Sequence, residues 1–286
     1  MSLGTEAQTK GYQITANNEA MKVLIIGGGN MGLTYARAFV NSHAVSPEQL
    51  TILEKGNTSK IAQLQSLGLG QIVTDAAKIQ EANLIILSVK PQDAPDLFGS
   101  IRAYVHADQV VLSIMAGITI DAIATSLQVH KIIRAMPNLP SQIGVGMTAF
   151  TSTPQVSKLE EQWIQNLLQT TGKAINVQDE KLIDAVTAIS GSGPAYIYYF
   201  MESMINAAKD MGVTASVAEM LVKQTFTGAL DLYKQNNLEC KEWIQKVASK
   251  GGTTEAAISH FDKAHLNEII AGGAKAALKR AEELGK

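Results

Sequence analysis

A β-branched and aliphatic run at 22–26 leads without a break into Gly27, Gly28, Gly29, Asn30, Met31 and Gly32, and an apolar helical pattern through Leu33, Ala36, Phe39 and Val40 follows directly. No other stretch limits the fold as much. Strand, glycine turn and helix in immediate succession fit Gly-x-Gly-x-x-Gly with glycines at 27, 29 and 32. The first permits the tight turn, the second lets a pyrophosphate approach the backbone, and the third lets helix and strand pack closely. A glycine fingerprint standing alone says little, because a glycine turn can be purely structural. Here its strand and helix flank it, and a second strand at 50–53 follows at βαβ spacing. The reading is a dinucleotide site at the start of a doubly wound sheet.

The alternation continues with continuous aliphatic runs at 84–89, 110–114 and 131–135. Continuous rather than alternating apolar strands are what a parallel sheet covered on both faces requires. Residues 148–151 and 174–177 read as the last strands, with a helix over 155–170 between them. Strand signals then stop. From 180 onward the pattern is helical, with breaks near 190–193, 212, 236–237 and 251–252. The expected fold class is α/β: an N-terminal Rossmann-type doubly wound sheet followed by an all-helical dimerisation domain. The expected division is a polar tail over 1–20, a dinucleotide-binding domain over 21–178, and a helical dimerisation and substrate domain over 179–286.

Within the helical part, Ser190-Gly191-Ser192-Gly193-Pro194 stands between two helical runs. Pro194 has its backbone angle preset for a first helical turn, so a new helix is expected there, capped by Ser192 or Gly193. Its first turns, Ala195, Tyr196, Ile197, Tyr198, Tyr199, Phe200 and Met201, are apolar on every side. Such a helix must be buried. One domain of this size rarely encloses it, which points to a second copy of the chain as its cover.

Composition narrows the partners. With Lys and Arg scattered and a formal net charge of −2, the chain has no electrostatic footprint for nucleic acid. No run approaches the ~18 apolar residues of a membrane span. A single cysteine, Cys240, cannot close an internal disulfide, and the expected location is the reducing cytoplasm. Residues 1–20 are polar, without the apolar core of a signal peptide. His260 and His265 are five apart, on different helix faces, and no metal set is expected. Small molecules and copies of the chain itself remain as partners.

In a doubly wound sheet, ligands bind beyond the carboxyl ends of the strands. That rule selects the glycine loop, Ser88-Val89-Lys90-Pro91 at the end of the third expected strand, Met115-Ala116 after the fourth, and Asn138 between Pro137 and Pro140. Lys90 reads equally as a phosphate or substrate contact and as a solvated lysine. Asn138 reads equally as a hydrogen-bond partner of a nicotinamide amide and as a turn residue. Glu54, 22 residues after Gly32 at the end of the second strand, can accept from a ribose 2′-hydroxyl and repels a 2′-phosphate, favouring NADH over NADPH. Lys55 beside it offsets part of that repulsion. A second glycine turn, Gly251-Gly252-Thr253-Thr254, opens a helical run, and free N–H groups there suit a small carboxylate. The plainer reading is that Thr253 or Thr254 only caps the helix.

Taken together, the run from Leu182 through Ser190-Gly191-Ser192-Gly193-Pro194-Ala195-Tyr196, then Gly251-Gly252-Thr253-Thr254, with Val89-Lys90-Pro91 and Arg134-Ala135-Met136-Pro137-Asn138 upstream, resembles the pyrroline-5-carboxylate reductase family. The similarity spans essentially everything after residue 22. It implies NADPH- or NADH-dependent reduction of a cyclic imine carboxylate to L-proline, the last step of proline biosynthesis. It further implies an intertwined homodimer through the helical domain, with larger assemblies such as a decamer among its forms. By motif, Ile26, Gly27, Gly28, Gly29, Asn30 and Met31, with Ser88, Val89, Lys90, Pro91, Met115 and Ala116, would hold the cofactor. Gly251, Gly252, Thr253 and Thr254 would hold the substrate carboxylate, Thr254 facing the ring nitrogen as the catalytic group.

The chain departs from the family at Lys250, usually proline, at Leu139, usually threonine, and at Gln245 and Lys246. Two alternatives stand beside this reading. One is a related imine or 2-oxo or 3-hydroxy acid reductase of the same architecture, with Lys250 as its acid. The other is a non-catalytic dinucleotide-sensing protein, which would keep the first glycine loop but have no need of the second.

Overall fold

Val23, Leu24, Ile25 and Ile26 are all buried, so β1 (Val23–Ile26) lies at the centre of a sheet covered on both faces. The structure is a computed structural model describing residues 21–285; the polar tail expected over 1–20 lies outside the described residues. β1 pairs in parallel with β2 (Leu50–Leu53) on one side and β4 (Leu84–Leu87) on the other. With β3 (Gln71–Val73), β5 (Val110–Ser113), β6 (Ile132–Met136), β7 (Gly146–Ser152) and β8 (Gly172–Asn176), the order is β3-β2-β1-β4-β5-β6-β7-β8. The chain runs outward from β1 to β3 and then returns to the other side of β1 at β4. The crevice between β1 and β4 is therefore the switch point where ligands bind.

β3 is a strand the sequence reading passed over. Gln71 is exposed and Ile72 and Val73 are half-buried, which leaves too short an aliphatic signal to stand out. The strand carrying Ser88 and Lys90 at its end is consequently the fourth in the chain. β7 pairs with β6 antiparallel. The intervening segment, 137–145, is shorter than the dozen or so residues a parallel crossover needs.

Alternation along each strand builds two cores. Ile25, Ile52, Leu84 and Ile86 pack against Tyr35, Ala36 and Phe39 of α1 (Asn30–Asn41) and Ile164, Leu167 and Leu168 of α5 (Lys158–Gln169). Leu24, Leu53, Ile85 and Leu87 pack against Leu97, Phe98 and Ile101 of α3 (Ala94–Ile101) and Ile123 and Leu127 of α4 (Ile120–Leu127). Each such side chain contributes roughly 1.5–3 kcal/mol on burial. α2 (Thr58–Ser66) joins β2 to β3.

The strands end at Asn176, but α6 (Lys181–Val186) still packs with the sheet. Arg134 on β6, 1% exposed, donates to Glu180 Oε1 at 2.9 Å and to Asp184 Oδ1 at 2.5 Å. The first compact unit accordingly runs to Gly191 and regains 278–286, and the second is Ser192–Ala277. Around Ser190 the sequence suggests a helix break; the chain instead passes through a π turn, Thr187–Gly191, and Ser192 is itself helical (φ −82°, ψ −21°). No side-chain cap bond forms at Ser192, and α7 (Gly193–Asp210) continues with Pro194 in its first turn.

The second unit comprises α7, α8 (Ala215–Lys234), α9 (Cys240–Val247), α10 (Thr253–Lys263) and most of α11 (Leu266–Leu284). Only Ala218 and Val222 are buried in it, whereas Tyr199 is 74% and Met211 81% exposed. A single copy of this unit has almost no core of its own. Among the described residues, no helix is long and apolar enough to cross a membrane.

Candidate active site

Gly27 follows β1 with φ +102°, and a Cβ there would lie 2.6 Å from the carbonyl oxygen of Ser88. Gly32 packs so closely on the chain that a Cβ would strike the carbonyl oxygen of Gly27, while Ser88 Oγ lies 3.1 Å from the same position. These two glycines thus join the loop to the end of β4. Gly29 differs. A Cβ at Gly29 would meet nothing within 4 Å, so the loop is open on that side. Gly29 is also the N-cap of α1 and makes no side-chain cap bond, leaving first-turn N–H groups for a ligand. A tight turn, a close helix and an open glycine at a helix start fit a dinucleotide pyrophosphate.

Glu54, at the end of β2, is 9% exposed. Its Oε2 accepts from Gly28 N at 2.9 Å and from the Lys60 ammonium at 2.6 Å, and its Oε1 accepts from Gly56 N at 2.9 Å. Burial pushes this carboxyl up, but Lys60 and the two backbone N–H groups together outweigh it, and the group sits below its ordinary value. It is ionised at neutral pH. The neighbouring cation is therefore Lys60 on α2, whose place on Glu54 the sequence reading did not anticipate. Lys55, expected to offset Glu54, instead donates to Ser100 Oγ at 2.9 Å.

The remaining strand-end residues gather at the same edge. Ile26 is buried, Ser88 N donates to the Ile26 carbonyl at 2.9 Å, and Val89 is half-buried beside Gly27. Lys90 is exposed and opens the short turn Pro91–Asp93. After β5, Met115 is buried, its N–H 3.3 Å from Ser113 Oγ, and Ala116 is half-buried. Gly117 follows with φ +76°, and its missing Cβ leaves room for Leu284 of α11 and the Ala281 carbonyl. The last turn of α11 thus supports the loop carrying Met115 and Ala116.

Asn138 Oδ1 accepts from Met147 N at 2.9 Å and its Nδ2 donates to Ser190 Oγ at 3.3 Å, which ties β7 and the π turn to the end of β6.

In the second unit, Gly251 has φ +74° and Gly252 is the N-cap of α10. Gly251 N donates to Glu255 Oε2 at 2.6 Å, and Gly252 N to the Ser249 carbonyl at 2.9 Å. That leaves the N–H groups of Thr253, Thr254 and Glu255, at the head of α10 before the first helical bond from Ala256 N to the Gly252 carbonyl, as donors with no partner inside the helix. Lys250 is exposed.

The doubly wound sheet, its open glycine loop and a carboxylate at the end of the second strand define a nicotinamide-dinucleotide oxidoreductase with a separate helical unit. Comparison with known proteins agrees with that class: residues 22–117 match the family described as NADP oxidoreductase coenzyme F420-dependent, and 180–284 match pyrroline-5-carboxylate reductase dimerisation. The chain is 32% identical over 265 residues to pyrroline-5-carboxylate reductase 2 of Bacillus subtilis (strain 168), covering 92% of this chain and 95% of that protein. A pyrroline-5-carboxylate reductase structure from Coxiella burnetii superposes with a TM-score of 0.84 at 29% identity, covering 94% of this chain and 100% of that one. The Plasmodium falciparum pyrroline carboxylate reductase, solved with NADP bound, shares the fold with a TM-score of 0.84 at 24% identity over 93% of this chain and 98% of that one. The chain belongs to the pyrroline-5-carboxylate reductase family.

Proposed function

We propose that the protein reduces 1-pyrroline-5-carboxylate to L-proline with a nicotinamide dinucleotide. The observation that carries this reading is the presence in one chain of an open glycine loop at the switch point of the sheet and of a second glycine turn that leaves the Thr253 and Thr254 N–H groups free at a helix start. A non-catalytic dinucleotide sensor has no use for the second.

The cofactor supplies the hydride. The first-turn N–H groups of α1 hold its pyrophosphate, and the packing of Ser88 against Gly27 and Gly32 keeps that loop in shape. Glu54 lies on the ribose side and favours NADH. In the second turn, Thr253 and Thr254 N–H groups bind the substrate carboxylate. The Thr254 hydroxyl, donor and acceptor both, orients the ring nitrogen. A protonated imine is already electrophilic, so positioning and exclusion of water supply most of what is needed, and no strong side-chain acid is required. This suits a loop, 249–254, in which the one cationic residue, Lys250, is exposed. The nearly coreless helical unit forms a homodimer, with larger rings such as a decamer built from it. A cytoplasmic location suits the exposed free thiol of Cys240.

A substitution series tests the role of Thr254. Thr254→Ala should lower turnover about ten- to a hundredfold, the value of one lost hydrogen bond of roughly 1–3 kcal/mol, with cofactor affinity unchanged. Thr254→Ser should recover part of the loss and Thr254→Val none. Equal turnover for Val and wild type would reduce Thr254 to a packing residue.

A further inference from the structure

The end of β2 holds a charge arrangement that the NADH preference alone does not explain. A carboxylate placed to reject a 2′-phosphate works best unneutralised, yet Glu54 Oε2 carries the Lys60 ammonium at 2.6 Å. The side chain of Lys60 is 42% exposed where that of Glu54 is 11% exposed, so the cation lies on the solvent side of the pair. Gly56 makes the contact possible: a Cβ there would fall 2.9 Å from Lys60 Cδ and 3.3 Å from Glu54 Oε1. The backbone fixes the rest. Asn57 caps α2 through Lys60 N at 3.0 Å, which sets the first turn from which Lys60 projects. The other cation of this turn, Lys55, is held on Ser100.

In a doubly wound fold the ribose of the adenosine half meets the end of the second strand. We infer that Lys60 sets cofactor choice in this protein: it neutralises Glu54 and is the cation available to a 2′-phosphate, so that NADPH is accepted beside NADH. Glu54 alone would exclude NADPH. With Lys60 the balance of charge at the ribose edge is near zero, and the preference for NADH becomes a modest one that either residue can tip. The inference deepens the functional reading above and depends on it only for the presence of a nicotinamide dinucleotide.

Dissociation constants for NADH and NADPH, measured by energy transfer from tryptophan to the reduced nicotinamide, test it without any turnover. In Lys60→Met the ratio of the NADPH constant to the NADH constant should rise about tenfold, the size of one charge-assisted hydrogen bond. Lys60→Arg keeps the charge and should hold the ratio within about twofold, and Glu54→Gln should lower it. A ratio indifferent to Lys60→Met overturns the inference. Should Lys60→Met fail to fold by circular dichroism, the other two variants decide: a ratio that collapses upward in Lys60→Arg, or that stays put in Glu54→Gln, overturns it equally. The parent reading fails separately. A wild type whose ratio depends on Lys60 but which leaves pyrroline-5-carboxylate unreduced would keep this inference and lose that one.

Discussion

Tyr35, on α1, is wholly buried with its hydroxyl 3.4 Å from Thr148 Oγ1. Burial raises its pKa to about 12, against smaller opposing effects of the Thr148 and Thr171 hydroxyls. The folded state therefore holds this proton more tightly than the unfolded chain, where a tyrosine ionises near 10. The associated stability is complete below pH 10 and is lost as pH rises to about 12, an amount of about 2–3 kcal/mol for two pH units. Urea midpoints across that window should fall steeply for wild type and more gently for Tyr35→Phe; parallel declines would mean the phenol does not control alkaline stability. At this scale the places of three residues in the fold were readable beforehand. Gly27, Gly32 and Glu54 take up the places their spacing implies. Lys60 was not readable, because its importance comes from a side chain folding back over Gly56, and no spacing rule marks that.

Elements were legible where a periodic pattern ran long and obscure where tertiary contacts overrode it. The helix expected over 155–170 begins at Lys158 because Ser157 and Glu160 form a capping box, a signal present in the Ser-x-x-Glu spacing. β3 offered only two aliphatic residues, Ile72 and Val73, after Gln71. The π turn at Thr187–Gly191 was hidden for another reason. Serines and glycines there suggest a break, but Asn138 bonded to Ser190, and α6 held by Arg134, keep the chain wound through to α7. Arg134 is consequently the link between β6 and α6. Arg134→Met should destabilise the first unit by about 3 kcal/mol, the low end for breaking a buried pair because Glu180 keeps 30% of its side chain exposed. Chemical denaturation measures it, and a loss below about 1 kcal/mol would show that α6 is held by its apolar face alone.

For the whole molecule, the contrast between the two units decides the assembly. The first buries aliphatic strands on both faces. The second buries Ala218 and Val222 and exposes Ile197 at 51% and Phe200 at 37%, although the same segment is apolar all round in sequence. A second copy is the cover this unit lacks, and Ile197→Glu would place an unpaired charge under it at a cost of several kcal/mol. Light scattering should find that variant monomeric or aggregated. A folded dimer of unchanged mass would remove α7 from the interface. Assembly was legible because an all-apolar helix has few homes; the placement of the unit boundary at Gly191 was not, because it depends on which side α6 packs.

The central claim is that these parts serve one reaction, and the direct measurement is oxidation of NADH and NADPH by the purified protein in the presence of 1-pyrroline-5-carboxylate, with proline quantified alongside. The account predicts consumption of both cofactors, NADH the better, with one proline formed per cofactor oxidised and a large loss in Thr254→Ala. Cofactor binding without imine-dependent oxidation, or oxidation without proline, would contradict it.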